Sequence, residues 1–245
     1  MPRVSARAAP RPDEPLIFVA PRRAAVIAGV VAALTAVLFV LAANRIALSH
    51  IQRADSAWLR LMVSHRSTPV TVVAKIFNVL GLVYVTLPVR LAVASYLAFR
   101  RQWWHLAAFA AAVLLSELLI GPVKAAYGRA RPPASLVATS GASFPSGHSI
   151  AASVTVFAAV IALVPAGRRR FAWGLAAACF ALLMALSRAY LGAHWLSDAI
   201  AGLLLGTSCA LLAAVAVDLA QRGWRRRHGI RDVPPQQAVR PVDRR

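Results

Sequence analysis

Three short polar stretches interrupt an otherwise apolar chain, and each carries side chains suited to an anionic group. The first runs from Lys124 to Pro132, the second from Gly141 to Ser149 and the third from Ser187 to Asp198. In the first, Lys124 offers a point-charge ammonium and Arg131 a forked guanidinium, a pair that suits a phosphate with several oxygens. Taken alone, the two read first as interfacial cations whose stems lie along lipid. In the second, Ser146, Gly147 and His148 lead into an apolar run. Backbone amides at such a helix start can converge on an anion. An imidazole titrates near working pH, so His148 could be a general acid. The plainer reading is an N-cap from Ser146 or Ser149 beside an interfacial histidine, and both can hold at once. In the third, His194 and Asp198 lie four residues apart and share a helix face. A carboxylate on one ring nitrogen would fix the tautomer and free the other as nucleophile or base. Arg188 adds a third cation. The alternative is a helix start with an acidic first turn, Asp198, and an aromatic anchor, Trp195. An acid and a histidine at a transmembrane helix start are nevertheless functional candidates by default.

The elements that must hold these stretches are membrane helices. The chain has 245 residues, 59% hydrophobic and only 15% charged, which places it among polytopic membrane proteins. The expected fold is all-α, an integral membrane bundle of about six transmembrane helices. The spans fall at about 24–43, 77–99, 105–123, 149–164, 171–186 and 195–219. The first is read as a retained anchor, being longer than a signal-peptide core. Residues 51–66 carry Ile51, Ala54, Trp58 and Met62 at helical spacing and suggest a short extracytoplasmic interfacial helix. Residues 1–23 and 221–245 are expected to be basic, mobile cytoplasmic tails around a membrane domain at 24–220.

The formal charge of +20 does not make this a nucleic-acid binder, because the cations sit at helix ends and in the tails. Most of the 28 Lys and Arg fall in the tails and in the tight turns at Arg100–Arg101 and Arg168–Arg170. The positive-inside rule then puts both termini in the cytoplasm and the three polar stretches outside. Cys179 and Cys209 lie in apolar runs and read as small buried residues, without metal-ligand spacing. Glu117, deep in a span, reads as a partner for Arg90 or a nearby hydroxyl, or as a proton relay. Arg129 could contact a second phosphate or a lipid headgroup, or be a surface arginine. Tyr127 and Tyr190 read as aromatics at the rim.

Lys-x6-Arg-Pro from Lys124, Pro-Ser-Gly-His from Pro145 and Ser-Arg-x5-His-x3-Asp from Ser187 stand complete and in order. Together they resemble the three-part signature of the type 2 phosphatidic acid phosphatase family, whose site the soluble vanadium haloperoxidases share. The resemblance implies that His194 attacks phosphorus to form a phosphohistidine, with Asp198 orienting it. It implies that His148 protonates the leaving oxygen, and that Lys124, Arg131, Arg188, Ser146 and the Gly147 amide hold the phosphoryl oxygens. No metal or other cofactor is implied. The expected partners are the bilayer and a lipid phosphate or diphosphate at a bacterial inner membrane. Polyprenyl (undecaprenyl) diphosphate comes first, ahead of phosphatidate and phosphatidylglycerol phosphate. A phosphotransferase using an acceptor other than water is the alternative within enzymes. A non-catalytic lipid-phosphate binder or a transporter is the alternative from another class.

Overall fold

The computed structural model describes residues 21–229, which form eight helices and no strand. These are α1 (Pro21–Ala43), α2 (Arg45–Ser64), α3 (Thr68–Leu80), α4 (Val83–Phe99), α5 (Trp103–Tyr127), α6 (Gly147–Leu163), α7 (Arg168–Tyr190) and α8 (Leu196–Arg227). The expected tails lie outside the described residues, except that α1 begins at Pro21 and α8 continues to Arg227. The 221–227 stretch is therefore helix rather than tail.

Four helices are long and apolar enough to cross a membrane: α1, α5, α7 and α8. Their outer faces carry exposed Val, Leu, Ile and Phe, as lipid contact requires. This is an integral membrane protein. The stretch expected as one continuous span at 77–99 is broken. Helices α3 and α4 meet at a 53° bend and together make up to a fifth crossing. The break has a local cause, because Gly81 closes α3 and Leu82 is extended (φ −69°, ψ 150°) before α4 begins. Helix α6 is apolar but only 17 residues long. Helix α2 starts earlier than the sequence suggested. Asn44 caps it, accepting from the Ile46 and Ala47 amides at 3.0 and 3.1 Å.

Small residues let the central helices approach closely, the usual device where lipid offers no hydrophobic drive. Helix α8 packs on α6 through Gly202 and Gly206. A Cβ on Gly202 would stand 2.5 Å from the Ser146 carbonyl oxygen, and one on Gly206 would strike Ser153 Oγ. The core beneath is built from Ala158, Ala162, Ala210 and Ala213 around Val154, Phe109 and Leu97. Helix α1 is tied to α8 by the Thr35–Ser208 hydroxyl pair at 2.8 Å.

Two sequence expectations inside the bundle are resolved by contact. Glu117 pairs with Arg90 at 2.7 Å, while Arg90 Nε donates to Thr155 Oγ1. Buried Cys209 fits the sequence reading, but Cys179 is exposed on the outer face of α7.

Candidate functional site

The loops after α5 and α7 and the start of α6 meet at one end of the bundle. Phe144 anchors this junction. It is fully buried and packs edge-on against Phe39 and tilted against Tyr127. Tyr127 donates to the Phe39 carbonyl at 2.7 Å, so it braces α1 instead of lining a rim. Tyr190 is likewise buried and bonds Thr71 of α3 and Ser67 just before it. Ser146 donates its amide to the Asp198 carbonyl at 3.0 Å, joining the second polar stretch to the third.

His194 sits in the turn between α7 and α8, 3% exposed. Its Nδ1 lies 2.7 Å from the Ser143 carbonyl oxygen. A carbonyl only accepts, so Nδ1 carries the proton and Nε2 keeps its lone pair. Arg131 Nη1 donates to that lone pair at 3.2 Å. The rest of the Arg131 fork is held by the carbonyls of Ala193, Gly141 and Ser140 at 2.7–2.9 Å. Lys124 Nζ donates to the Ala142 carbonyl at 2.7 Å, on the same loop. Burial, and then the charges of Arg131, Arg188 and Lys124, hold the His194 imidazole well below its usual pKa. The ring is neutral.

Asp198 does not hydrogen-bond the ring, although the four-residue spacing suggested a carboxylate directly on a ring nitrogen. Its Oδ2 stands 3.9 Å from His194 Nδ1. That oxygen accepts instead from Ser143 Oγ in a short bond, and from the Trp195 amide at 2.9 Å. The second bond takes up the N-cap amide of α8 and agrees with the helix-start reading of Asp198 as the acid of its first turn. Ser143 thus stands between acid and histidine. Its carbonyl holds the ring, and its hydroxyl holds the carboxylate.

Arg129 is neither a rim contact nor a surface residue. Its Nη1 donates to Asp198 Oδ1 at 2.6 Å and Ser197 Oγ at 2.7 Å. Its Nη2 donates to Asp55 Oδ2 and Gln52 Oε1, each at 2.7 Å. Asp55 also accepts from the Ser197 amide at 2.9 Å, so a carboxylate of α2 caps the start of α8. The guanidinium stacks over Trp195, 5.6 Å from the ring centroid.

On the opposite wall, Arg188 is 2% exposed and donates Nη1 to Asn78 of α3 in a short bond. Its Nε has no partner among the described residues. The Asn78 backbone faces the His148 ring, whose Nε2 is buried and also unpartnered. Gly81 makes room for that ring, since a Cβ there would collide with His148 Cδ2. Ser146 is fully buried and caps α6, accepting from the Ser149 amide at 3.4 Å and the Ser149 hydroxyl at 3.0 Å. Gly147 is the first residue of α6. All eight candidate residues therefore gather at one end of the bundle. Asn78, Gly81, Ser143 and Asp55 join them without having been singled out from sequence. Asn78 had a signal, as a lone amide inside an apolar run. Asp55 had one too, as an acid on a helix otherwise charged by arginine.

Fold and geometry define a helical membrane protein with a cationic, histidine-bearing cluster at one bundle end. Residues 102–222, just under half of the chain, match the PAP2 superfamily. A lipid A 1-phosphatase of Rhizobium johnstonii is 38% identical over 130 residues, 46% of this chain and 50% of the relative. One of Rhizobium etli is also 38% identical over 130 residues, covering 53% of the relative. The chain thus spans about half the length of the curated relatives it matches. Among solved structures, a PAP2-type phosphatidylglycerolphosphate phosphatase from Bacillus subtilis superposes with a TM-score of 0.62. It is 23% identical, over 82% of this chain and 96% of that one. Aquifex aeolicus LpxE superposes at 0.51, with 23% identity over 63% of this chain and 91% of that one. At such identity these two structures speak for the fold.

Proposed function

We propose that the protein is a membrane lipid phosphatase that works through a phosphorylated histidine. The carrying observation is the His194 ring, with Nδ1 pinned by the Ser143 carbonyl and the Nε2 lone pair turned toward Arg131. In the proposed reaction that lone pair forms a bond to phosphorus as the bond from phosphorus to the lipid oxygen breaks. His148 gives its proton to the departing oxygen. A water then attacks phosphorus, His148 takes one of its protons, and the N–P bond breaks to release phosphate and restore His194. Arg131, Lys124, Arg188 and the amides of α6 offset charge gathering on the phosphoryl oxygens. Asp198, 3.9 Å away, favours the positive charge that phosphorylation puts on the ring. With this much fixed cationic charge, the reading has the reaction proceed without a metal.

Both curated relatives carry the name lipid A 1-phosphatase. On that ground the 1-phosphate of lipid A moves ahead of undecaprenyl diphosphate, phosphatidate and phosphatidylglycerol phosphate. In the membrane arrangement we favour, α6 and the α3–α4 pair cross with the four long helices, giving six spans. Helix α2 lies along the surface, the site is extracytoplasmic, and the basic end faces the cytoplasm of a bacterial inner membrane.

The test is phosphate release from these four lipids by purified protein in detergent. The expected result is fastest release from lipid A 1-phosphate, unchanged by a strong chelator and suppressed by vanadate. Chelator-sensitive turnover would sink the metal-free reading, and no release from any lipid would sink the phosphatase. In the same assay Gly81→Ala should lower kcat by roughly 10²-fold, because its methyl displaces the His148 ring. Unchanged kcat would show that His148 is not held by this contact.

A further inference from the structure

The bundle end away from the candidate site carries a groove and a charge for which the proposed reaction has no use. Between α6 and α7 a cavity of about 420 Å³ opens sideways, a volume typical of ligand pockets. Val156, Val160 and Leu163 form one wall, and Trp173, Ala176 and Phe180 the other. The α6 wall begins eight residues beyond His148 and extends to the helix end, roughly 12–22 Å along the axis. The lining is apolar, and Trp173 on its edge is exposed.

At the mouth, α7 begins with Arg168, Arg169 and Arg170. Arg170 turns inward, its Nε donating to the Val164 carbonyl at 2.7 Å, and so closes the α6–α7 turn onto the groove. Arg168 and Arg169 are exposed and make no ion pair or hydrogen bond with any described residue. Four acids occur among the described residues. Asp55 and Asp198 are bound to Arg129, Glu117 to Arg90 and Asp218 to Arg222. Two guanidiniums without a counter-charge among the described residues therefore stand at the lip of a chain-sized apolar slot.

We propose that this groove binds an anionic membrane phospholipid, one acyl chain lying between α6 and α7 and the headgroup phosphate on Arg168 and Arg169. Basic pockets between membrane helices select anionic headgroups because a zwitterionic lipid brings its own cation to the same place. A soluble anion would satisfy the arginines but leave the apolar walls uncovered. The site is independent of the proposed phosphatase chemistry.

Trp173 lines the groove and is 60% exposed, so it reports on what fills it. The full chain is reconstituted in phosphatidylcholine vesicles carrying a minor share of lipid with brominated acyl chains. The brominated lipid is either phosphatidylglycerol or phosphatidylcholine. The Trp173 signal is the difference between this protein and Trp173→Phe. We expect brominated phosphatidylglycerol to quench it severalfold more than brominated phosphatidylcholine. Arg168→Gln with Arg169→Gln should remove that excess, and so should Ala176→Leu, which fills the slot from its wall. Equal quenching by the two lipids would mean ordinary lipid contact and overturn the proposal. An excess that survives the arginine pair would reflect general attraction to the basic end and overturn it too. An excess that survives Ala176→Leu would remove the acyl chain from the groove. None of these readings requires turnover, so they stand apart from any failure of the phosphatase assay.

Discussion

Phosphate release is expected to fall by on the order of 10⁴-fold or more in His194→Ala, with the fold retained. The ring makes two polar contacts, to the Ser143 carbonyl and Arg131 Nη1. Arg131 keeps its bonds to Ala193, Gly141 and Ser140 without it. The variant should therefore elute and melt like the parent protein. In the parent, rapid quenching during turnover should trap phosphate on the protein in an acid-labile, base-stable form, as a nitrogen–phosphorus bond is. The variant should trap none. The pH dependence follows from the same geometry. His194 has its pKa lowered, so it gains a proton only at pH values below the ordinary imidazole value of about 6.5. As pH falls through 6.5 the nucleophile stays neutral, and kcat/KM should show no loss there attributable to it. Retention of turnover within about tenfold of the parent would place the nucleophile elsewhere.

The residues that carry the proposed chemistry were legible because their types and spacing are constrained by the reaction. His194, His148, Lys124, Arg131 and Arg188 stood out by charge and titration, and the resemblance carried by their spacing implied a task for each. What connects them was much less legible. Ser143 reads in sequence as one more small residue of a glycine-bearing loop, yet its carbonyl and hydroxyl separate the histidine from the acid. A backbone carbonyl leaves no trace in residue identity. Four-residue spacing did place Asp198 near His194, at 3.9 Å, but His194 precedes α8 and lies in the turn, so the carboxylate stops short of a hydrogen bond to the ring. The break between α3 and α4 was hidden for a related reason. Apolar periodicity runs straight through Gly81, and only the approach of His148 from α6 shows why a glycine belongs there. Arg129 was the largest misreading. Its partners Asp55 and Gln52 lie far away in sequence, on a helix judged merely interfacial.

Arg129→Ala is expected to be the most destabilising single change near the site, at about 3–5 kcal/mol, because it strands two buried carboxylates. Asp55 is 3% exposed and Asp198 is fully buried. Both would keep their hydroxyl and amide donors but lose the shared cation. Arg129→Lys keeps a charge yet cannot reach both α2 and α8 with one fork, so it should fall between Ala and the parent. Asp55→Asn keeps the hydrogen-bonding shape without the charge. Combined with Arg129→Gln, it should cost less than the two single changes added together, as expected for direct partners. The measurements are unfolding temperature in detergent, alongside kcat and KM at low temperature where the variants remain folded. Loss of stability with a lowered kcat and an unchanged KM would show that Arg129 acts by holding Asp198 and docking α2. A stable Arg129→Ala protein with a raised KM for a diphosphate lipid would return Arg129 to the substrate. In that case the ion pairs to Asp55 and Asp198 would contribute little to the fold.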